Sequence, residues 1–95
     1  MIAVSVRKNS IEIHGHAGYA ETGKDIVCAG MTALTQTLVR SMQGLTRDEV
    51  EYEVSPGRVD IYYGNLSEEG KLLVDSFFIG ACLIADEFPE YVRVE

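Results

Sequence analysis

The segment Ile26 to Val39 carries no charged side chain, and it constrains the fold more than any other feature. A helix this apolar has to be covered on most of its circumference. Val27, Met31, Leu34, Leu38 and Met42 fall on one helical stripe, with Asp25 in position to cap the start and Gly44 in position to end it. A second uncharged run, Ser76 to Ala85, sits inside a second helical pattern. Its stripe is Leu73, Phe77, Ala81, Ile84 and Phe88; Ser67 is placed to cap it and Pro89 to stop it, because proline cannot continue the hydrogen-bond ladder.

The remaining segments alternate with period two, which is the pattern of half-buried strands. Ile2, Val4 and Val6 lead through an Asn9-Ser10 turn to Ile11 and Ile13, which puts Glu12, His14 and His16 on the opposite face. Val50, Tyr52 and Val54 alternate with Glu49, Glu51 and Glu53; Ser55-Pro56-Gly57-Arg58 supplies turn chemistry, and Val59, Ile61 and Tyr63 return. Val92 and Val94 make a short last strand. The expected fold is therefore α+β, a two-layer sandwich in the order β-β-α-β-β-α-β, with both helices on one face of a mainly antiparallel or mixed sheet. Glu12, Glu49, Glu51, Glu53 and Asp60 are expected on or near the open face.

At 95 residues the chain reads as a single domain, 1–95, so an active site is expected to be shallow or shared between subunits. Two helices this apolar outrun one small sheet, which points to a homodimer through a helix; a tightly packed monomer is the alternative. The net charge of −7 disfavours direct nucleic-acid binding and suits a basic protein partner, although an acidic surface also serves plain solubility. The amino terminus lacks the pattern of a signal peptide, and no apolar run reaches the ~18 residues of a membrane span, so a soluble, cytoplasmic protein without membrane association is expected. The two cysteines are then expected as free thiols.

With Asp25 as cap, Cys28 is the third helical residue, in the first turn, where unpaired N–H groups and the helix dipole favour a thiolate. The Asp25 carboxylate opposes that if it lies close; capping the helix and orienting a histidine are its two alternative roles. His16 precedes a loop, Ala17 to Lys24, without apolar periodicity, in which Gly18 and Gly23 are hinge candidates. An imidazole there suits a base that later returns its proton to a leaving amine. The N–H of Cys28 is a candidate oxyanion donor. Two other readings compete. His14, His16 and Cys28 are potential metal ligands, but a structural site wants four, and Cys82 lies in an apolar run where packing is its expected role. The acidic face also suits a non-catalytic binding module docking a basic protein. No metal and no cofactor is expected.

Gly15-His16-Ala17-Gly18 followed by Asp25-Ile26-Val27-Cys28-Ala29-Gly30 resembles the ribosomal-processing cysteine protease family. That resemblance spans essentially the whole chain in length and element order. It implies a cysteine endopeptidase that removes the amino-terminal extension of large-ribosomal-subunit protein twenty-seven during ribosome assembly. It implies Cys28 as nucleophile, His16 as general base and Asp25 as an adjacent active-site residue. Where the family commonly has serine one turn beyond the cysteine, this chain has Thr32, which keeps the hydroxyl and adds a methyl group. A homodimer, a loop that orders on substrate binding, and cleavage after paired aromatic residues are also implied. Tyr19 is then a candidate for an aromatic subsite, set against a simpler role as a loop anchor.

Overall fold

The computed structural model describes residues 1–95 and has the elements in the expected order. β1 (Ile2–Val6) and β2 (Ser10–His14) form a hairpin, α1 (Ile26–Leu45) follows, and β3 (Val50–Ser55) and β4 (Arg58–Tyr63) form a second hairpin. α2 (Glu68–Glu87) then leads into β5 (Val92–Val94). The strands make one mixed sheet in the order β3-β4-β2-β1-β5, antiparallel throughout except for the parallel pair β1 and β5. No helix is long and apolar enough to cross a membrane.

The core lies between the sheet and the two helices. Ile11 and Ile61 are cross-strand partners and both are 0% exposed; burying an isoleucine contributes about 1.5–3 kcal/mol. Val27, Met31 and Met42 of α1 and Phe77 and Ala81 of α2 close over them. The helices touch closely at Gly80, where a Cβ would come within 2.7 Å of Leu34 Cδ1.

Thr35 and Val39 are also buried. Because α1 meets both α2 and the sheet, its covered face is wider than the predicted stripe. The expected stop at Gly44 is corrected: Gly44 lies inside α1, and Thr46 ends the helix. Thr46 Oγ1 donates to the Met42 carbonyl at 2.7 Å and accepts from the Asp48 N–H at 3.0 Å, so side-chain bonds terminate the helix where a left-handed glycine was expected. α2 starts at its Ser67 cap and ends at Phe88, as expected, with Ser67 in turn held by Asp48 through Oγ at 2.8 Å and N–H at 3.0 Å.

Candidate active site

β2 ends at His14, and the next residue redirects the chain. Gly15 has φ +100°, donates its N–H to the Gly57 carbonyl at 2.7 Å, and packs so closely that a Cβ would overlap the Met1 carbonyl oxygen. Only glycine fits both the angle and the space. The expectation that His14 and His16 share a face is corrected by this turn. His14 Nε2 pairs with Asp60 Oδ1 at 3.1 Å on the sheet's outer side, whereas His16 swings over the β3–β4 turn and lines a cleft on the helix side. The imidazole lies so close to Gly57 that a Cβ there would approach its Nε2 to 2.7 Å.

Asp25 does cap α1: its Oδ1 accepts from Val27 N–H at 3.0 Å and Cys28 N–H at 2.9 Å. Its Oδ2 accepts from Tyr19 N–H at 3.1 Å and Ala20 N–H at 3.5 Å, so one carboxylate joins the helix start to the loop. It makes no hydrogen bond to His16. These donors, above all the N–H of Cys28, hold the Asp25 carboxyl below the usual aspartate range against a smaller opposing push from desolvation. Because the N–H of Cys28 is committed to Asp25, the expectation that it holds an oxyanion is corrected. The donor at the sulfur is the N–H of Ala17, 3.5 Å from Cys28 Sγ and held in place by the buried Ala17 side chain.

Cys28 and His16 line the same cleft, of about 450 Å³, which runs between one flank of α1 and the β3–β4 hairpin. Thr32, one turn beyond Cys28, is exposed on this cleft, and the structure gives its hydroxyl no protein partner. Sequence reasoning missed the opposite wall, formed by Tyr52, Val54 and Gly57, and the Gln36 and Arg40 side chains farther along α1. Period-two alternation places Tyr52 and Val54 on one face of the strand and gives no sign that they are 49% and 67% exposed.

The loop is tied down at its start. Tyr19 packs edge-on against Phe88 at 5.5 Å and Tyr91 at 5.2 Å between ring centroids, away from the cleft, as an anchor does. Gly18 and Gly23 have φ of +70° and +87° with open space around them, so backbone angle alone calls for glycine there. Asp60 lies on the outer face, as expected, and is 4% exposed. It accepts from Arg58 Nε at 2.6 Å as well as from His14, and the Arg58 bond leads in holding its carboxyl below the usual range. Glu49, Glu51 and Glu53 are exposed. Cys28 and Cys82 are both free thiols, and Cys82 is half-buried on α2.

A sheet covered on one side by two helices, with a free thiol on the first turn of the first helix opening into a groove, is the architecture of a small α+β cysteine protease. The chain belongs to the family described as Cysteine protease Prp, whose model matches residues 1–93. The Ribosomal processing cysteine protease Prp of Staphylococcus aureus is 29% identical over 103 residues, covering 99% of this chain and 97% of its own length. The protein of the same description from Bacillus subtilis is 25% identical over 107 residues, covering 99% and 96%. The crystal structure of the Staphylococcus aureus protease with a covalently linked product peptide superposes with a TM-score of 0.90 at 25% identity, over 99% of this chain and 95% of that one. A Streptococcus mutans structure superposes at 0.80 with 30% identity, over 99% and 90%.

Proposed function

We propose that this protein acts in the cytoplasm as a single-domain endopeptidase that removes the amino-terminal extension of large-ribosomal-subunit protein twenty-seven. Cys28 is its nucleophile and His16 its general base. The observation that carries this reading is the opening of Cys28, on the first turn of α1, and His16, two residues past β2, into one cleft. Related proteins in Staphylococcus aureus and Bacillus subtilis are described as ribosomal processing proteases, which supports a ribosomal protein as substrate.

The thiolate of Cys28 attacks the scissile carbonyl carbon, forming a C–S bond and an oxyanion. The Ala17 N–H supports negative charge at this position, first on sulfur and then on the neighbouring oxygen. Collapse breaks the C–N bond as protonated His16 gives its proton to the leaving amine, and the extension stays behind as a thioester. His16 then takes a proton from water, the resulting hydroxide displaces sulfur, and the thiolate is restored. His16 makes no hydrogen bond to Cys28 in the free protein, so substrate in the cleft brings the pair into line. Asp25 holds α1 and the loop in register, and the Thr32 hydroxyl offers a partner to substrate.

The exposed Glu49, Glu51 and Glu53 beside the cleft suit a basic substrate body and give nucleic acid nothing to bind. Leu72, Ile79 and Leu83, 62–69% exposed along one side of α2, form the contact of a homodimer. Mass spectrometry of the extended ribosomal protein incubated with wild type and with Cys28→Ala tests the reaction. The expected result is loss of the extension with wild type only. An intact mass with both proteins, alongside measurable binding, would replace the protease by a docking module.

A further inference from the structure

β3 is an edge strand: its inner neighbour is β4, and its other side carries no strand. The two-residue turn Pro56-Gly57 closes on the pair Ser55 and Arg58. In such a hairpin the closing residues bond to each other, and every second residue does so thereafter. Gly57 and Tyr63 of the returning arm bond the other way, to Gly15 and Asn9, which fixes the same alternation. Ser55, Glu53 and Glu51 thus spend their backbone groups on β4, while Val54, Tyr52 and Val50 direct theirs outward.

The side chains of Tyr52 and Val54 also face the cleft and are largely exposed. An exposed edge strand with free backbone groups and an uncovered apolar row is a liability unless something pairs with it. Glu51 and Glu53 protect the solvent side of β3 but not this side. The cleft has Cys28 and His16 at the Ser55 end of β3, and it carries no carboxylate although the chain has fifteen. Arg40 and Arg58 also line it, so the segment it takes is apolar, neutral or acidic but not basic, and the basic body of the substrate stays outside.

We propose that the substrate segment preceding the scissile bond binds as an added strand on the free edge of β3, its backbone paired with Val54 and Tyr52. Its alternate side chains then lie between Tyr52, Val54 and the Thr32–Gln36 flank of α1. This rests on the protease reading and states how that site holds its substrate. An extension is the free end of its chain, so it can thread a groove this small, whereas a folded body following the cut cannot. The same segment remains on Cys28 as the thioester, and strand pairing keeps that carbonyl in place until water arrives.

The test uses a peptide spanning the extension and cleavage junction of the ribosomal protein, with a series of copies N-methylated at one upstream amide each. Binding is measured on Cys28→Ala, and cleavage of the unmodified peptide on wild type. Strand addition predicts that sensitivity alternates: methylation at every second amide weakens binding about tenfold or more, and methylation between them has little effect. Val54→Pro, which removes an outward N–H and no bond to β4, is expected to weaken binding similarly, with thermal melting of the variant as the check that the sheet is kept. Uniform sensitivity along the peptide, or full binding by Val54→Pro, overturns strand addition even if cleavage is normal. Alternation without cleavage overturns the protease reading and leaves the strand. Absence of both binding and cleavage overturns both.

Discussion

His16 has its place because position 57 has no side chain. With φ +70° and a Cβ position only 2.7 Å from Nε2, Gly57 supplies both the turn and the seat of the imidazole. Gly57→Ala is expected to displace the ring and lower kcat/KM by about 10–100-fold, since misplacement of ~1 Å at a reacting group has an effect of that order. Strain in the left-handed region adds a stability loss of about 1–2 kcal/mol. Peptide cleavage and thermal melting of the same preparation separate the two effects. On the outer face, Asp60 joins Arg58 and His14 while almost wholly buried. Asp60→Asn is expected to lower stability at pH 7 by about 1–3 kcal/mol through loss of charge-assisted bonds. Its folded-state pKa is lowered, so the ionised carboxylate stabilises fully above the unfolded value of about 3.9. That contribution fades as pH falls from there through the folded value. The gap between wild type and Asp60→Asn in urea melts should therefore shrink between pH 5 and pH 2.

Three of the four helix ends are fixed by a side chain just outside the helix, Asp25, Thr46 and Ser67, while α2 ends on the Phe88 N–H to the Ile84 carbonyl. Asp48, in the connection from α1 to β3, holds Ser67, and a Cβ at Gly70 would overlap the Asp48 carboxylate. Gly70→Ala should therefore destabilise by about 1–2 kcal/mol, although alanine in an exposed helix gains about 1 kcal/mol over glycine. Urea unfolding at neutral pH reads the difference. Element order, the Asp25 and Ser67 caps and the Cys28 first turn were legible because cap chemistry and hydrophobic period are local properties of the chain. The end of α1 was not, since Thr46 stops it through Asp48 while the nearby Gly44 gives a false signal. Nor was the far wall of the cleft: period two tells which residues share a face, but not that α1 leaves Tyr52 and Val54 uncovered. His16 lost its predicted face to one positive φ at Gly15, a tertiary demand made by Met1.

At the scale of the whole molecule, the exposed apolar side of α2 and the cleft beside α1 are separate surfaces, so association through α2 leaves the cleft open. Ile79→Glu is expected to shift the protein from dimer to monomer in sedimentation analysis while secondary structure is kept, because burying a carboxyl group in an apolar contact carries a considerable desolvation cost. An unchanged mass for wild type and variant would refute the α2 contact. Tyr19 links loop and tail: the segment that carries the Ala17 donor is clamped by Phe88 and Tyr91, residues translated long after it. His16, Ala17, Asp25 and Cys28 are thus all made before the aromatic pair that holds their loop in place. A chain ending before Phe88 keeps Cys28 and His16 but loses the clamp on the segment that carries the Ala17 donor, so it is expected to cut the junction peptide far more slowly than the full chain.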